Sequence, residues 1–405
     1  MLSPSSLVAD SALAAGVKCE TWPAWQRFKL LYMSHDGRIV DAGTEAQITT
    51  SEAQSYALFF ALVSNDREAF DRILRWTHNY LCGSHLEKIL PASKWGRADD
   101  GVWCVLDSNS ATAADLWIAY TLGEAARLWN ERRYSNLGFE IARNILQQNI
   151  QTVPGLGTVL LSGPNGFVSK DSWRLNASHL PLPVLRGLAR HTRDPVWDAI
   201  LQSSERVILG SAPRGFAADW IEFTRSGFLP DRRTRSVGSY DAIRVYLWAG
   251  MLPASDPARD RILNALSPIL ESAVTRTAPA EIIDTQTLQM RGEGPPGFSA
   301  ALLPMLANGR MTAALQAHRQ RAADGSLQNN QSHYSDALTC AGFQHPSDRT
   351  SDRLCQQCAV SGRRVLRHRA GISKLHPRMG TIRGLGTSIP RYRGQSAPLS
   401  TLMPG

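Results

Sequence analysis

From about residue 20 to 320 the apolar residues of this chain return at intervals of three and four, interrupted by segments rich in glycine, proline and serine. Tyr56, Phe59 and Leu62 share one helical face, as do Phe70, Ile73, Leu74 and Leu81, and then Leu116, Tyr120 and Leu128. Ile262, Leu263, Leu266 and Leu270 form another stripe, in which Pro268 limits the regularity of the helix because its ring removes a backbone donor. No alternating strand pattern dominates. The pattern predicts a large all-α domain with long loops, such as Pro154-Gly-Leu-Gly157 and Gly292-Glu-Gly-Pro-Pro-Gly297, on one face where functional residues collect. A chain of 405 residues is long enough to bury one large core or two ordinary ones.

Charge divides the chain more sharply than hydropathy does. Residues 341–405 carry 11 of the 44 Lys+Arg but two of the 35 Asp+Glu, which leaves 33 of each sign in 1–340. The net charge of +9 therefore sits in the tail, and the neutral body has no long-range field for phosphates. That argues against a nucleic-acid partner and suits an uncharged polymer. The tail uses ten Arg against one Lys, has almost no aromatic residues and shows no apolar stripe, so it reads as a disordered appendage. No run of about 18 apolar residues is present to span a membrane as a helix. Residues 1–16 lack Lys and Arg, yet Ser11-Ala-Leu-Ala-Ala-Gly16 looks like the small-residue end of a signal peptide. Residues 1–19 are accordingly set apart from a domain over 20–340. The six cysteines are too scattered for a disulfide framework. Cys355-Gln-Gln-Cys358 with Cys340 and His368 is a weak zinc pattern, and free thiols are the preferred reading, with no metal or cofactor expected.

Three segments place acids and hydroxyls at helix starts: Thr49-Thr-Ser-Glu-Ala-Gln-Ser-Tyr56, Leu106-Asp-Ser-Asn-Ser110 running on to Asp115, and Ser239-Tyr-Asp-Ala-Ile-Arg-Val-Tyr246. Cleaving an acetal between sugars needs one carboxyl to protonate the leaving oxygen and a second carboxylate opposite it. Glu52 and Asp241 are the candidates. Trp95, Trp103, Trp173 and Trp220 lie in loop-like segments, where flat rings can stack on pyranose faces. Each acid also has a structural reading. Thr49-x-x-Glu52 and Thr112-x-x-Asp115 fit capping boxes, and Asp241 fits a first-turn acid favoured by the helix dipole. The residues alone support a carbohydrate enzyme and leave both readings open.

The same segments, with Thr21-Trp-Pro-Ala-Trp25, Val105-Leu-Asp-Ser-Asn-Ser110, Val153-Pro-Gly-Leu-Gly157, Ser172-Trp-Arg174 and Gly297-Phe-Ser-Ala-Ala301, resemble glycoside hydrolase family 8 over about 320 residues in the right order. Within it they resemble the endo-β-1,4-glucanases that accompany bacterial cellulose synthase. The resemblance implies an (α/α)6 toroid and inverting hydrolysis of β-1,4-glucan in the periplasm or outside the cell, with the cellulose synthase complex as a further partner. Glu52 would be the general acid and Asp241 the base. Tyr240 and Arg244 would orient the site, and Trp95 and Trp173 would be sugar platforms.

The chain also departs from that family. Members typically read Ser-Ala-Ser/Thr-Asp-x-Asp-Leu, and the first of those acids is thought to hold the sugar at the cleavage point. Here Ser110-Ala-Thr-Ala-Ala-Asp-Leu116 has Ala113 in its place, with Asp107 as a neighbour able to compensate. Ala53 and Ala57 replace usual glycines, and His179 stands where a tyrosine is common. After His333-Tyr-Ser-Asp-Ala-Leu338 the expected apolar ending gives way to the Arg-rich tail, an abrupt change that a frameshift in the gene would explain. A catalytically weakened glucan-binding protein, or the same fold acting on chitosan, xylan or mixed-linkage glucan, are the competing readings.

Overall fold

The computed structural model describes residues 22–41, 43–326 and 333–342. The leader-like segment 1–19 lies outside the described residues, as do residues 343–405 of the basic tail with Cys355, Cys358 and His368. The domain end expected at residue 340 falls inside a helix that runs on to Gly342.

Six helices close a ring. α2 (Ser51–Val63) packs on α4 (Thr112–Trp129), α4 on α6 (Leu182–Thr192), and α6 on α8 (Ala242–Gly250). α8 packs on α11 (Pro296–Asn308), α11 on α13 (His333–Gly342), and α13 returns to α2. A second set lies against the first: α1 (Pro23–Tyr32) on α13, α3 (Arg67–Trp76) on α2, and α5 (Arg132–Gln148) on α4. α7 (Val196–Ser211) packs on α6, α9 (Arg259–Ala265) on α8, and α12 (Thr312–Ser326) on α11. α10 (Pro268–Thr275) follows α9 directly, with Pro268 in its first turn, where the missing N–H costs nothing. The stripe from Ile262 to Leu270 is thus two helices, split at that proline. The stripe from Phe70 to Leu81 also changes character, because α3 gives way to a π-helical turn over Thr77–Leu81.

Burial differs most between α8 in the ring and α3 outside it. Every residue of α8 is buried, whereas α3 buries only Ala69, Phe70, Ile73 and Trp76. A helix apolar all round needs partners on all sides, and one with a single stripe needs one. Ring helices hand over to outer ones through tight turns with a left-handed residue: Asn65 after α2, Asn130 after α4, Arg193 after α6 and Arg310 after α11. That conformation turns the chain sharply at a helix C-terminus.

Eleven short strands in four small sheets among the described residues were not expected from an all-α reading. β1 (Thr49–Thr50), β2 (Ala92–Arg97) and β3 (Trp103–Ser110) form one antiparallel sheet, and β4 (Ile150–Val153) pairs with β5 (Gly157–Leu160). β6 (Ser172–Leu175), β7 (Ile221–Thr224) and β8 (Gly227–Pro230) form the next sheet. β9 (Val237–Gly238), β10 (Ile282–Asp284) and β11 (Met290–Arg291) form the last. The Pro154–Gly157 loop is the turn of the β4–β5 hairpin. Short strands with one exposed face leave no period to read: most of β3 is exposed, apolar Val105 and Leu106 included. β1, β3 and β9 run directly into, or within a few residues of, the N-termini of α2, α4 and α8. They therefore aim the starts of ring helices, where the candidate acids lie.

Candidate active site

Glu52 and Asp241 meet at the buried guanidinium of Arg244, which is 4% exposed. Arg244 donates from Nη1 to Glu52 Oε1 at 3.2 Å and from Nη2 to Asp241 Oδ1 at 2.5 Å. The two carboxylate oxygens are thus separated by no more than two hydrogen bonds and the width of one guanidinium. Nη2 also donates to Ser178 Oγ at 3.0 Å. Burial works against the charge of Arg244, but Glu52, Tyr56, Tyr334 and Asp241 around it hold it protonated, well above its ordinary pKa.

Neither acid is used as a helix cap. Thr50, not Thr49, caps α2, accepting the Ala53 N–H at 3.1 Å, so the Thr49-x-x-Glu52 box does not form and Glu52 turns to Arg244. Asp241 occupies the N-cap position of α8, yet its own side chain makes no cap bond. Asp219 does that work. Its Oδ1 accepts the N–H groups of Ser239, Asp241 and Ala242 at 2.7, 3.1 and 2.7 Å. Burial, with the Asp241 charge adding to it, pushes the Asp219 carboxyl up to about 6 against those bonds. The pattern alone pointed to neither Thr50 nor Asp219, since Asp219 lies 20 residues or more before the groups it caps.

The third expected box also fails to form. α4 starts after Ala111 with no side-chain cap, and Thr112 instead accepts from Asn149 Nδ2 at 2.9 Å. Asp115 is fully buried, and among the described residues neither of its carboxylate oxygens has a hydrogen-bond partner of good geometry. Burial raises its pKa well above the usual carboxylate range, and the nearby Ser110 hydroxyl offsets only part of that. Ala113 is buried in the same turn.

The remaining candidates are distributed around this centre. Tyr240 is 45% exposed, donates its hydroxyl to Glu281 Oε1 at 3.1 Å, and accepts the Tyr334 hydroxyl at its carbonyl. Tyr334, from α13, lies with its ring 5.9 Å from the Arg244 guanidinium carbon. Asp107 is exposed on β3, its Oδ1 accepting the Asn109 N–H at 2.9 Å. Trp95 sits in β2, not in a loop, stacked on Trp103 at 5.1 Å, with Arg38 4.4 Å from its centroid. Trp103 is the more exposed ring of that stack, at 43%. Trp173 lies in β6 opposite Phe223, its indole N–H enclosed without an acceptor among the described residues. Trp220, just before β7, stacks on Phe167 at 5.8 Å and carries the Arg174 guanidinium 3.6 Å from its centroid. Tyr56, Trp117 and Trp248 pack against one another inside the ring. Among the described residues no group of three or more His, Cys, Asp or Glu is arranged to hold a metal ion, and no helix is long and apolar enough to cross a membrane.

Two carboxylates held apart on one guanidinium, with aromatic rings and small sheets around them, is an arrangement able to protonate one side of a bond and activate water on the other. Comparison with known proteins points the same way. The family model described as glycosyl hydrolases family 8 matches residues 4–343. An endoglucanase of Escherichia coli O157:H7 is 44% identical over 323 residues, covering 80% of this chain and 86% of that protein. One from Xanthomonas axonopodis pv. citri is 47% identical over 317 residues, covering 78% and 83%. The crystal structure of an endo-1,4-D-glucanase from Vibrio fischeri ES114 superposes with a TM-score of 0.76 at 40% identity, covering 81% of this chain and 95% of that one. With a match of that reach in sequence and in fold, the chain belongs to glycosyl hydrolase family 8.

Proposed function

We propose that this protein is an endoglucanase that hydrolyses internal β-1,4-glucosidic bonds with inversion. The observation that carries the reading is the attachment of Glu52 and Asp241 to opposite arms of the Arg244 guanidinium while other residues cap both helices. Glu52 protonates the leaving oxygen, and Asp241 takes the proton of the attacking water. An inverting pair requires about 6.5–9.5 Å between its carboxyls, enough for that water. The closed ring of α2, α4, α6, α8, α11 and α13 with its outer partners supports an (α/α)6 toroid. The relatives from Escherichia coli and Xanthomonas carry the name endoglucanase, which supports a β-glucan substrate. A place in the periplasm or outside the cell, beside a cellulose synthase complex, rests on the resemblance of the motifs. Asp107, Trp95, Trp173 and Tyr240 are proposed to line the glucan path.

Reducing-end release from carboxymethylcellulose and soluble cello-oligosaccharides tests this. Glu52→Gln and Asp241→Asn are each expected to lower kcat by at least about 10²-fold, and the first-formed product should be the α-anomer by NMR. Turnover retained in both variants, or a β-anomer product, overturns the assignment.

A second reading, a glucan-binding protein with weakened catalysis, is favoured by one observation: Ala113 is buried in the first turn of α4 and offers no carboxylate. Loss of a contact made to distorted sugar costs transition-state stabilisation, about 1.5–3 kcal/mol for a charged hydrogen bond. Binding of cello-oligosaccharides without turnover, with turnover gained in Ala113→Asp, would establish that reading.

A further inference from the structure

His179 ends a short 3-10 turn, Ala177–His179, that several groups hold rigid. Asn176 Oδ1 accepts from both the backbone N–H and the hydroxyl of Ser178, at 2.9 and 2.7 Å. The Ser178 carbonyl accepts the Trp248 indole N–H at 3.0 Å, and its hydroxyl oxygen accepts from Arg244. The imidazole packs edge-on to Trp220, ring centroids 5.5 Å apart at 85°, and its side chain is 14% exposed. Its Nδ1 is enclosed with no hydrogen-bond partner among the described residues. Its Nε2 lies 4.0 Å from Asp241 Oδ1.

That last distance is too long for a direct hydrogen bond and is the span that one bridging water closes. With nothing for Nδ1 to donate to, the Nε2–H tautomer leaves only a bare lone pair unmet and points its N–H toward Asp241. We propose that His179 Nε2 and the Asp241 carboxylate together hold the attacking water, making His179 a third catalytic residue of this chain. The proposal rests on the hydrolytic reading above. The water donates one hydrogen to Asp241, accepts from Nε2–H, and keeps its remaining lone pair for the anomeric carbon. As the water oxygen bonds to that carbon, the glycosidic C–O bond breaks and its electron pair takes the proton of Glu52. Asp241 keeps the proton of the water, and exchange with solvent restores both carboxyl groups. His179 is neutral at the start and at the end.

Neutrality has a pH consequence. The groups facing the imidazole are Asp241 and Arg244 of the α8 start, Glu52 of α2 and Arg174 of β6. Burial lowers its pKa below the ordinary 6.5 and outweighs the two acids that favour protonation, while Arg244 and Arg174 act in the same sense as burial. Protonation at lower pH turns His179 into a cation beside Asp241, which pairs with the carboxylate directly and weakens it as a base. Activity therefore falls as the pH drops through the depressed pKa of His179.

The experiment compares wild type, His179→Phe and His179→Gln on cello-oligosaccharides across pH 4–9, with Glu52→Gln and Asp241→Asn alongside. His179→Phe keeps the ring packing on Trp220 and is expected to lose about 10- to 100-fold in kcat with KM within about threefold. His179→Gln keeps an N–H near the Nε2 position, so it should recover part of that loss. Because glutamine does not titrate, the acid limb of its kcat/KM profile should move to lower pH. A purely structural role would not move that limb. Wild-type kcat and an unchanged acid limb in His179→Phe, with Glu52→Gln and Asp241→Asn inactive, overturn the His179 assignment and leave the hydrolytic reading standing. Turnover surviving in Glu52→Gln and Asp241→Asn, or absent from wild type, overturns both.

Discussion

Asp115 sits fully buried in the first turn of α4, with only the nearby Ser110 hydroxyl to offset the desolvation of its carboxylate. Its pKa in the fold is raised by burial, whereas the unfolded chain ionises near 3.8. Above that value the unfolded state gives up a proton that the folded state retains, so stability declines as pH rises. Asp115→Asn, which mimics the neutral acid, is expected to raise Tm at pH 8 and to lose most of that advantage at pH 4; equal gains at both pH values in thermal melts would contradict it. Cys82, buried nearby, has its thiol pushed up by the same desolvation with Asp115 adding to it. At this scale the sequence pattern identified which residue types matter but not their duties. Glu52 and Asp115 fit the same capping-box pattern, and one faces Arg244 while the other is sealed in the core.

Among elements, α8 shows how a site residue is kept free for chemistry. A helix start leaves N–H groups unsatisfied, and the nearest acid normally accepts them. Asp219 reaches across from the approach to β7 to accept three, which releases Asp241. Asp219→Ala is expected to cost about 1–3 kcal/mol of stability in urea denaturation and to lower kcat more than it changes KM, since Asp241 loses its anchor. Asp219→Asn keeps an acceptor and should retain most of both. A kcat unchanged in the alanine variant would show that Asp241 is positioned by Arg244 alone. Helices such as α2, α3 and α4 were legible because their apolar residues return at helical spacing, whereas α8, buried on every side, carries no stripe to read. The strands were not legible: β1, β9 and β11 are two residues long, and a period cannot be read from two positions.

At the scale of the whole molecule, the ring closes where α13 wedges between α11 and α2, and glycine makes the first of those contacts close. A Cβ at Gly297 would lie 2.5 Å from the Ser335 carbonyl oxygen, and one at Gly342 would lie 2.1 Å from that of Ala300. Both obstacles are backbone, which cannot rotate away. Gly297→Ala is expected to destabilise by about 1–3 kcal/mol and to cut activity by displacing Tyr334 from Arg244; an unchanged midpoint in a thermal melt would refute the close contact. By itself the sequence determined the helical character of the chain, its breaks, the neutrality of the body and the family that its motifs resemble, because these depend on local period, composition and short segments. Only the tertiary structure decided that α13 returns to α2, that Asp219 rather than Asp241 does the capping, and that His179 lies beside Asp241. Those are contacts between residues far apart along the chain, set by how six helices share one core, and no local pattern encodes them.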